Sequence, residues 1–212
     1  MSAMKNLKTK TKKCRGRPVS FDREELITQV MELFWERGYN NLVLNEIARE
    51  TGLSRASIYN AFKTKEALFL EAINHYLAGS PDAVLDSIKK GDPVGPAFYH
   101  LFDEASSSRA ADKKRRGCLA VNCMSELMTS NSELSKTLGG MFDGRRRLIQ
   151  NLIQQAVQQK ELPEETDAET VANMIQAFMS GFSVFSKNGM PEEKLQAMCR
   201  GFLKNLGFAE PQ

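Results

Sequence analysis

Two histidines and four cysteines are all that the 212 residues offer for metal or thiol chemistry. Cys14, Cys118, Cys123 and Cys199 contain no CxxC pair, and His75 and His100 stand apart from them. That spacing argues against a structural zinc site and a disulfide framework. No apolar run approaches the ~18 residues of a membrane span. The basic N-terminus has no apolar core of the secretory kind, so the expected location is the cytoplasm, away from membranes. Alternation of period two is missing, which argues against a sheet, and no segment repeats. Neither histidine lies near Cys118 in sequence to serve as its base, so no enzyme, cofactor or metal is expected.

Acids are also missing from residues 1–21, which carry seven cations: Lys5, Lys8, Lys10, Lys12, Lys13, Arg15 and Arg17. The rest of the chain holds 22 cations against 26 acids, so an overall charge of +3 joins a basic end to a mildly acidic body. A block of this kind is commonly a flexible arm for nucleic acid.

What is present is helical periodicity. Asp22 caps a first helix whose Leu26, Ile27, Val30, Met31, Phe34 and Trp35 form one stripe, ended by Gly38. Leu44, Ile47 and Ala48 mark a short second helix closed by Gly52. Ser54 caps a third over 55–61, and Thr64 a fourth running from Lys65 towards Leu77. After Ser80-Pro81 a shorter helix continues towards Lys90. Further helices are expected over 97–107, 118–129, 132–160, 168–186 and 192–206. The fold class is all-α.

The stretch "LNEIARETGLSRASIYNAF" has the form of a helix-turn-helix: two short helices around a glycine turn, with Ile47, Ala48, Ile58, Ala61 and Phe62 inward and Leu53 at the turn. The outward face of the second helix is polar and suits a DNA major groove. Arg55 matches the two acceptors of guanine, Asn60 adenine, Ser57 either edge, and Ala56 a thymine methyl. Tyr59, Lys63 and Lys65 suit phosphate oxygens.

The segment from "ELITQVMELFWERGYNN" through "IYNAFKTKEALF" resembles the DNA-binding domain of the TetR family of bacterial regulators. The likeness covers roughly residues 22–76 and rests on "LFWERGY", "EIARETGLS", "IYNAF" and "KTKEALF" together. It implies three parts: a basic arm over 1–21, a three-helix DNA-binding domain over 22–76, and a helical effector-binding and dimerisation domain over 77–212. It also implies a homodimeric repressor that leaves a near-palindromic double-stranded operator when a small-molecule effector binds. The family's usual Thr or Ser before the second helix is replaced by Leu42 and Val43, with Asn41 and Asn45 as substitutes for the cap. In this context Arg15 and Arg17 of "CRGRP", held extended before Pro18, suit a narrow minor groove.

For the second domain, the candidate dimer residues are Ile175, Phe178, Met179 and Phe182, with Met198 and Phe202, forming a four-helix bundle with a partner. Candidate effector contacts are Phe98, Tyr99, Phe102, Cys118, Asn122 and Met141. Met124, Met128, Phe142 and His100 are near candidates, and one of Arg145, Arg146 and Arg147 leans inward. In "KKRRGCLAVNC" four cations and a helix start favour a Cys118 thiolate, so sensing of an oxidant or electrophile is the alternative effector chemistry. A DNA-bound structural protein is the remaining alternative.

Overall fold

A computed structural model describes residues 22–129 and 132–211, whose regular elements are all helical, without strands. The α-helices are α1 (Arg23–Arg37), α2 (Leu44–Thr51), α3 (Arg55–Phe62), α4 (Lys65–Ala78), α5 (Gly95–Ala111), α6 (Leu119–Leu127), α7 (Glu133–Gln158), α8 (Ala168–Phe185) and α9 (Glu192–Asn205). A 3₁₀ segment, Pro81–Ser87, takes the place of the helix expected towards Lys90, and Ser186–Asn188 is a second one. None of these helices is long and apolar enough to cross a membrane, and no group of three metal-ligating side chains occurs among the described residues.

Local chemistry sets most boundaries. The Asp22 carboxylate accepts from the amides of Glu24 and Glu25 at 2.9 and 3.2 Å and so starts α1. Gly38 ends it at φ +79°, a conformation that disfavours a side chain. Helix α5 begins earlier than its own sequence suggests. The Glu161 carboxylate, far along the chain, accepts from the amides of Val94 and Gly95 at 2.8 and 2.7 Å and neutralises that helix end.

Two cores divide the interior. The first joins Val30, Phe34, Ile47, Ile58, Phe69 and Ile73 of the N-terminal helices to Leu119, Cys123 and Leu127 of α6 and to Leu134 and Leu138 of α7. Phe69 meets Phe34 and Tyr39 edge-on, with ring centroids 5.0 Å apart in each case. The second core gathers Leu85, Phe98, Leu101, Phe102, Ile149, Ile153, Ile175, Phe182, Leu195, Cys199 and Leu203. The first core therefore crosses the sequence boundary drawn at residue 76.

Contacts outside these cores fasten α6 and the loop before it to α1 and to the turn that follows. Arg116 pairs with Glu32 of α1 and with Asp112, and its guanidinium lies 4.0 Å above the Trp35 ring. Lys114 pairs with Glu36. Glu126 of α6 accepts from the backbone amides of Tyr39 and Asn40 at 2.9 and 2.6 Å. A Cβ on Gly38 would stand 3.0 Å from that carboxylate, which is a second reason for glycine there.

Candidate nucleic-acid interface and effector cavity

Helices α2 and α3 meet at Gly52, which takes the left-handed conformation at φ 70°. The Ser54 hydroxyl accepts from the Ser57 amide at 3.0 Å and opens α3. Ile58 and Phe62 turn inward and are buried. Arg55, Ala56, Tyr59 and Asn60 face outward, with Tyr59 57% exposed, and α3 contains no acid to repel a phosphate backbone. Ser57 is half-buried, its hydroxyl 2.9 Å from that of Ser54, so its first role is in the cap.

The two lysines differ. Lys63 is exposed, with φ +66°, and its ammonium donates to the Asn60 carbonyl at 3.0 Å. Lys65 is half-buried, with its ammonium 4.0 Å from the centre of the Tyr39 ring. Burial lowers its pKa, and the acids Glu66 and Glu126 oppose that shift. Tyr39, which sequence reasoning left out of the site, thus positions Lys65, and its own hydroxyl is fixed by donation to Glu66 at 3.0 Å.

At the start of α2, Val43 is 52% exposed and supplies no cap. The Glu46 carboxylate accepts from the Val43 amide at 3.1 Å, which is half of a capping box. Asn41 does not substitute: its side-chain amide donates to the Arg37 carbonyl at 3.1 Å. Asn45 lies exposed in the first turn. Arg15 and Arg17 lie outside the described residues.

A cavity of about 150 Å³ opens between α4, α5, α6, α7 and α8. Phe102, Cys118 and Met141 line it, as do Phe142 and, of the three arginines, Arg145. Three of the expected contacts do not. Phe98 is fully buried in the second core beside Phe208, and the Tyr99 hydroxyl donates to the Phe208 carbonyl at 3.3 Å, because that side of α5 packs on the chain's C-terminal end. Asn122 donates to the Arg116 carbonyl at 2.8 Å and accepts from Lys187 at 2.6 Å. Met124, Met128 and the exposed His100 are also absent from the wall. Two of the four cations next to Cys118, Lys114 and Arg116, are turned to carboxylates rather than to its thiol. The Cys118 amide at the helix start donates to the Ser183 hydroxyl at 2.7 Å. Missed by the sequence were Tyr76 of α4 and Arg109 of α5, both on the wall, where the Arg109 guanidinium donates to the Tyr76 hydroxyl at 3.4 Å.

The candidate dimer residues fall on different faces. Ile175 and Phe182 are buried in the chain's own second core, and Met179 lines the cavity, so none of these three is an outward contact. Phe178 and Phe202 stack on each other at 3.9 Å, half-buried, and Met198 is half-buried as well. The outward face of α8 is instead Met174, Ala177, Gly181, Val184 and Phe185, of which Met174, Val184 and Phe185 are 46%, 54% and 47% exposed.

An exposed, acid-free second helix on a helix-turn-helix, backed by a helical body with a cavity between its helices, defines a DNA-binding regulator. Residues 26–72 match the family described as "Bacterial regulatory proteins, tetR family", and residues 97–202 match "Tetracyclin repressor-like, C-terminal domain". The chain belongs to the TetR family of transcriptional regulators, which are DNA-binding proteins rather than enzymes. It is similar to the HTH-type transcriptional repressor ComR of Escherichia coli, 27% identical over 187 residues that span 87% of this chain and 88% of ComR. The regulator YezE of Bacillus subtilis is 28% identical over 121 residues, 57% of this chain and 62% of its own length. Among solved structures, a cysteine-substituted CifR, a TetR-family regulator bound to a 26-bp double-strand operator, superposes with a TM-score of 0.77 at 28% identity, covering 90% of this chain and 100% of that one.

Proposed function

We propose that the chain is a homodimeric repressor that holds a near-palindromic operator through two α3 helices in successive major grooves and leaves it when a small molecule fills the cavity. The observation that carries this reading is the outward set Arg55, Ala56, Tyr59 and Asn60 on an acid-free helix whose inner face is locked by Ile58 and Phe62. Arg55 and Asn60 read base edges, Ala56 meets a thymine methyl, and Tyr59, Lys63 and Lys65 hold phosphates. The similar CifR, bound to its operator, supports the DNA partner. Arg15 and Arg17 extend the contact into the minor groove. The effector-binding and dimerisation domain begins after residue 76 and shares α6 and the start of α7 with the DNA-binding core.

Dimerisation uses the apolar outward face of α8 with Phe178, Met198 and Phe202 beside it, two helices from each subunit making a four-helix bundle. The cavity touches α4, which carries the DNA-binding helices, and α6, which is tied to the turn after α1. A bound molecule that moves either helix changes the separation of the two α3 helices from the ~34–36 Å that successive grooves require. A hundredfold release needs only ~2.7 kcal/mol of coupling. The protein acts in the cytoplasm.

The test is selection of bound fragments from genomic DNA, followed by anisotropy titrations of wild type and of Arg55→Ala and Tyr59→Ala. One preferred near-palindromic site beside an operon is expected, with Arg55→Ala weakening it by ~1–3 kcal/mol. Absence of preference for any duplex over random competitor refutes the reading. Sites dispersed along the genome favour a DNA-organising role instead.

A further inference from the structure

The cavity wall is mostly apolar, with Phe102, Met141, Phe142 and Phe182 along it, but it holds two arginines in different electrostatic states. Arg145 is compensated: it pairs with Asp82 at 3.3 Å and with Asp86 at 2.9 Å. Arg109 has no carboxylate within ion-pair distance among the described residues. Its Nε is buried without an acceptor, and its one hydrogen bond runs to the neutral Tyr76 hydroxyl at 3.4 Å, a long contact. Burial raises the pKa of Tyr76, so that phenol brings no negative charge at neutral pH.

A half-buried guanidinium without an anion is costly, and an acceptor bearing charge is what its planar fork matches. The volume, about 150 Å³, suits an occupant whose body is the size of a single ring. An apolar cavity of ~150 Å³ accommodates a benzene-sized molecule. We infer that the effector is a single-ring aromatic carboxylic acid whose carboxylate pairs with Arg109 while its ring lies among the Phe and Met side chains. The carboxylate of Asp82, on the same wall, does not repel it, because Arg145 neutralises that group. This inference rests on the effector-release reading and adds the chemical class.

Benzoate and its uncharged analogue benzamide are the probes. Trp35, the chain's one tryptophan, meets the cavity residue Tyr76 edge-on at 5.0 Å, so its fluorescence reports occupancy. Titrations of full-length dimer follow that signal, and operator release by each compound is followed in parallel. Benzoate is expected to bind at least about tenfold more tightly than benzamide, since only the acid brings an opposite charge to the guanidinium. Arg109→Gln should erase that preference and leave operator binding without probe unchanged, while Arg109→Lys, which keeps the charge, should retain part of it. Equal binding of the two probes, no binding of either, or a preference that survives in Arg109→Gln overturns the inference. Operator release by benzamide with no advantage for benzoate would overturn the acid alone and leave the effector cavity standing.

Discussion

Removing the Glu126 carboxylate isolates the tie between α6 and the turn that leads into the helix-turn-helix. Two backbone amides, those of Tyr39 and Asn40, donate to it at 2.9 and 2.6 Å, the first part-buried and the second exposed. Hydrogen bonds to a charged group contribute ~1.5–3 kcal/mol each, and solvent at Asn40 lowers its share. Glu126→Ala should therefore destabilise the protein by about 2–3 kcal/mol. For a chain of this size each kcal/mol moves Tm by ~2–4 °C, so a drop of roughly 5–10 °C is expected. Glu126→Gln keeps one acceptor oxygen and should lose about half as much. Thermal unfolding followed by helical circular dichroism, at one fixed protein concentration because any self-association makes Tm depend on it, measures this. A drop smaller than about 1 °C for Glu126→Ala would refute the assignment of the two amides as anchored groups.

At the start of α2, Val43→Thr supplies the missing cap acceptor and should stabilise the protein by ~1 kcal/mol, with a higher Tm in the same assay. Burial pushes the thiols of Cys123 and Cys199 up to about 12, so neither has appreciable thiolate at pH 8. In a Cys14→Ser background, mass spectrometry after brief alkylation should find Cys118 modified first and these two only after unfolding; early labelling of Cys123 would refute their burial.

The polar landmarks of the fold were legible where the chain satisfies its own helix ends. Asp22, Ser54 and Thr64 each accept from an amide two or three residues on, which a single sequence displays. The start of α5 was hidden because its cap, Glu161, arrives from the segment just after α7, 66 and 67 residues away. The outward side of α3 was readable because one of its faces is polar and the other apolar. Helix α8 carries large apolar side chains on more than one side, and its Gln176, Ser180 and Ser183 line the cavity, so periodicity cannot say which stripe faces inward. The stripe containing Ile175 and Phe182 faces the core, and Val184 and Phe185 face out. Two of the effector candidates were misplaced for a similar reason: Phe98, Tyr99 and Phe102 are neighbours on α5, and only the positions of α9 and Phe208 decide that Phe102 alone of the three meets the cavity.

The first hydrophobic core bears on how such proteins are recombined. Leu119, Cys123, Leu127, Leu134 and Leu138 complete the packing of the N-terminal helices, although they lie more than forty residues beyond α4 in the chain. A hybrid regulator assembled by cutting at residue 76 and attaching a foreign effector domain would leave that apolar seat facing side chains never fitted to it. A graft that carries α6 and the opening turns of α7 along with α1–α4 keeps the seat filled, so the working unit of exchange is discontinuous in sequence.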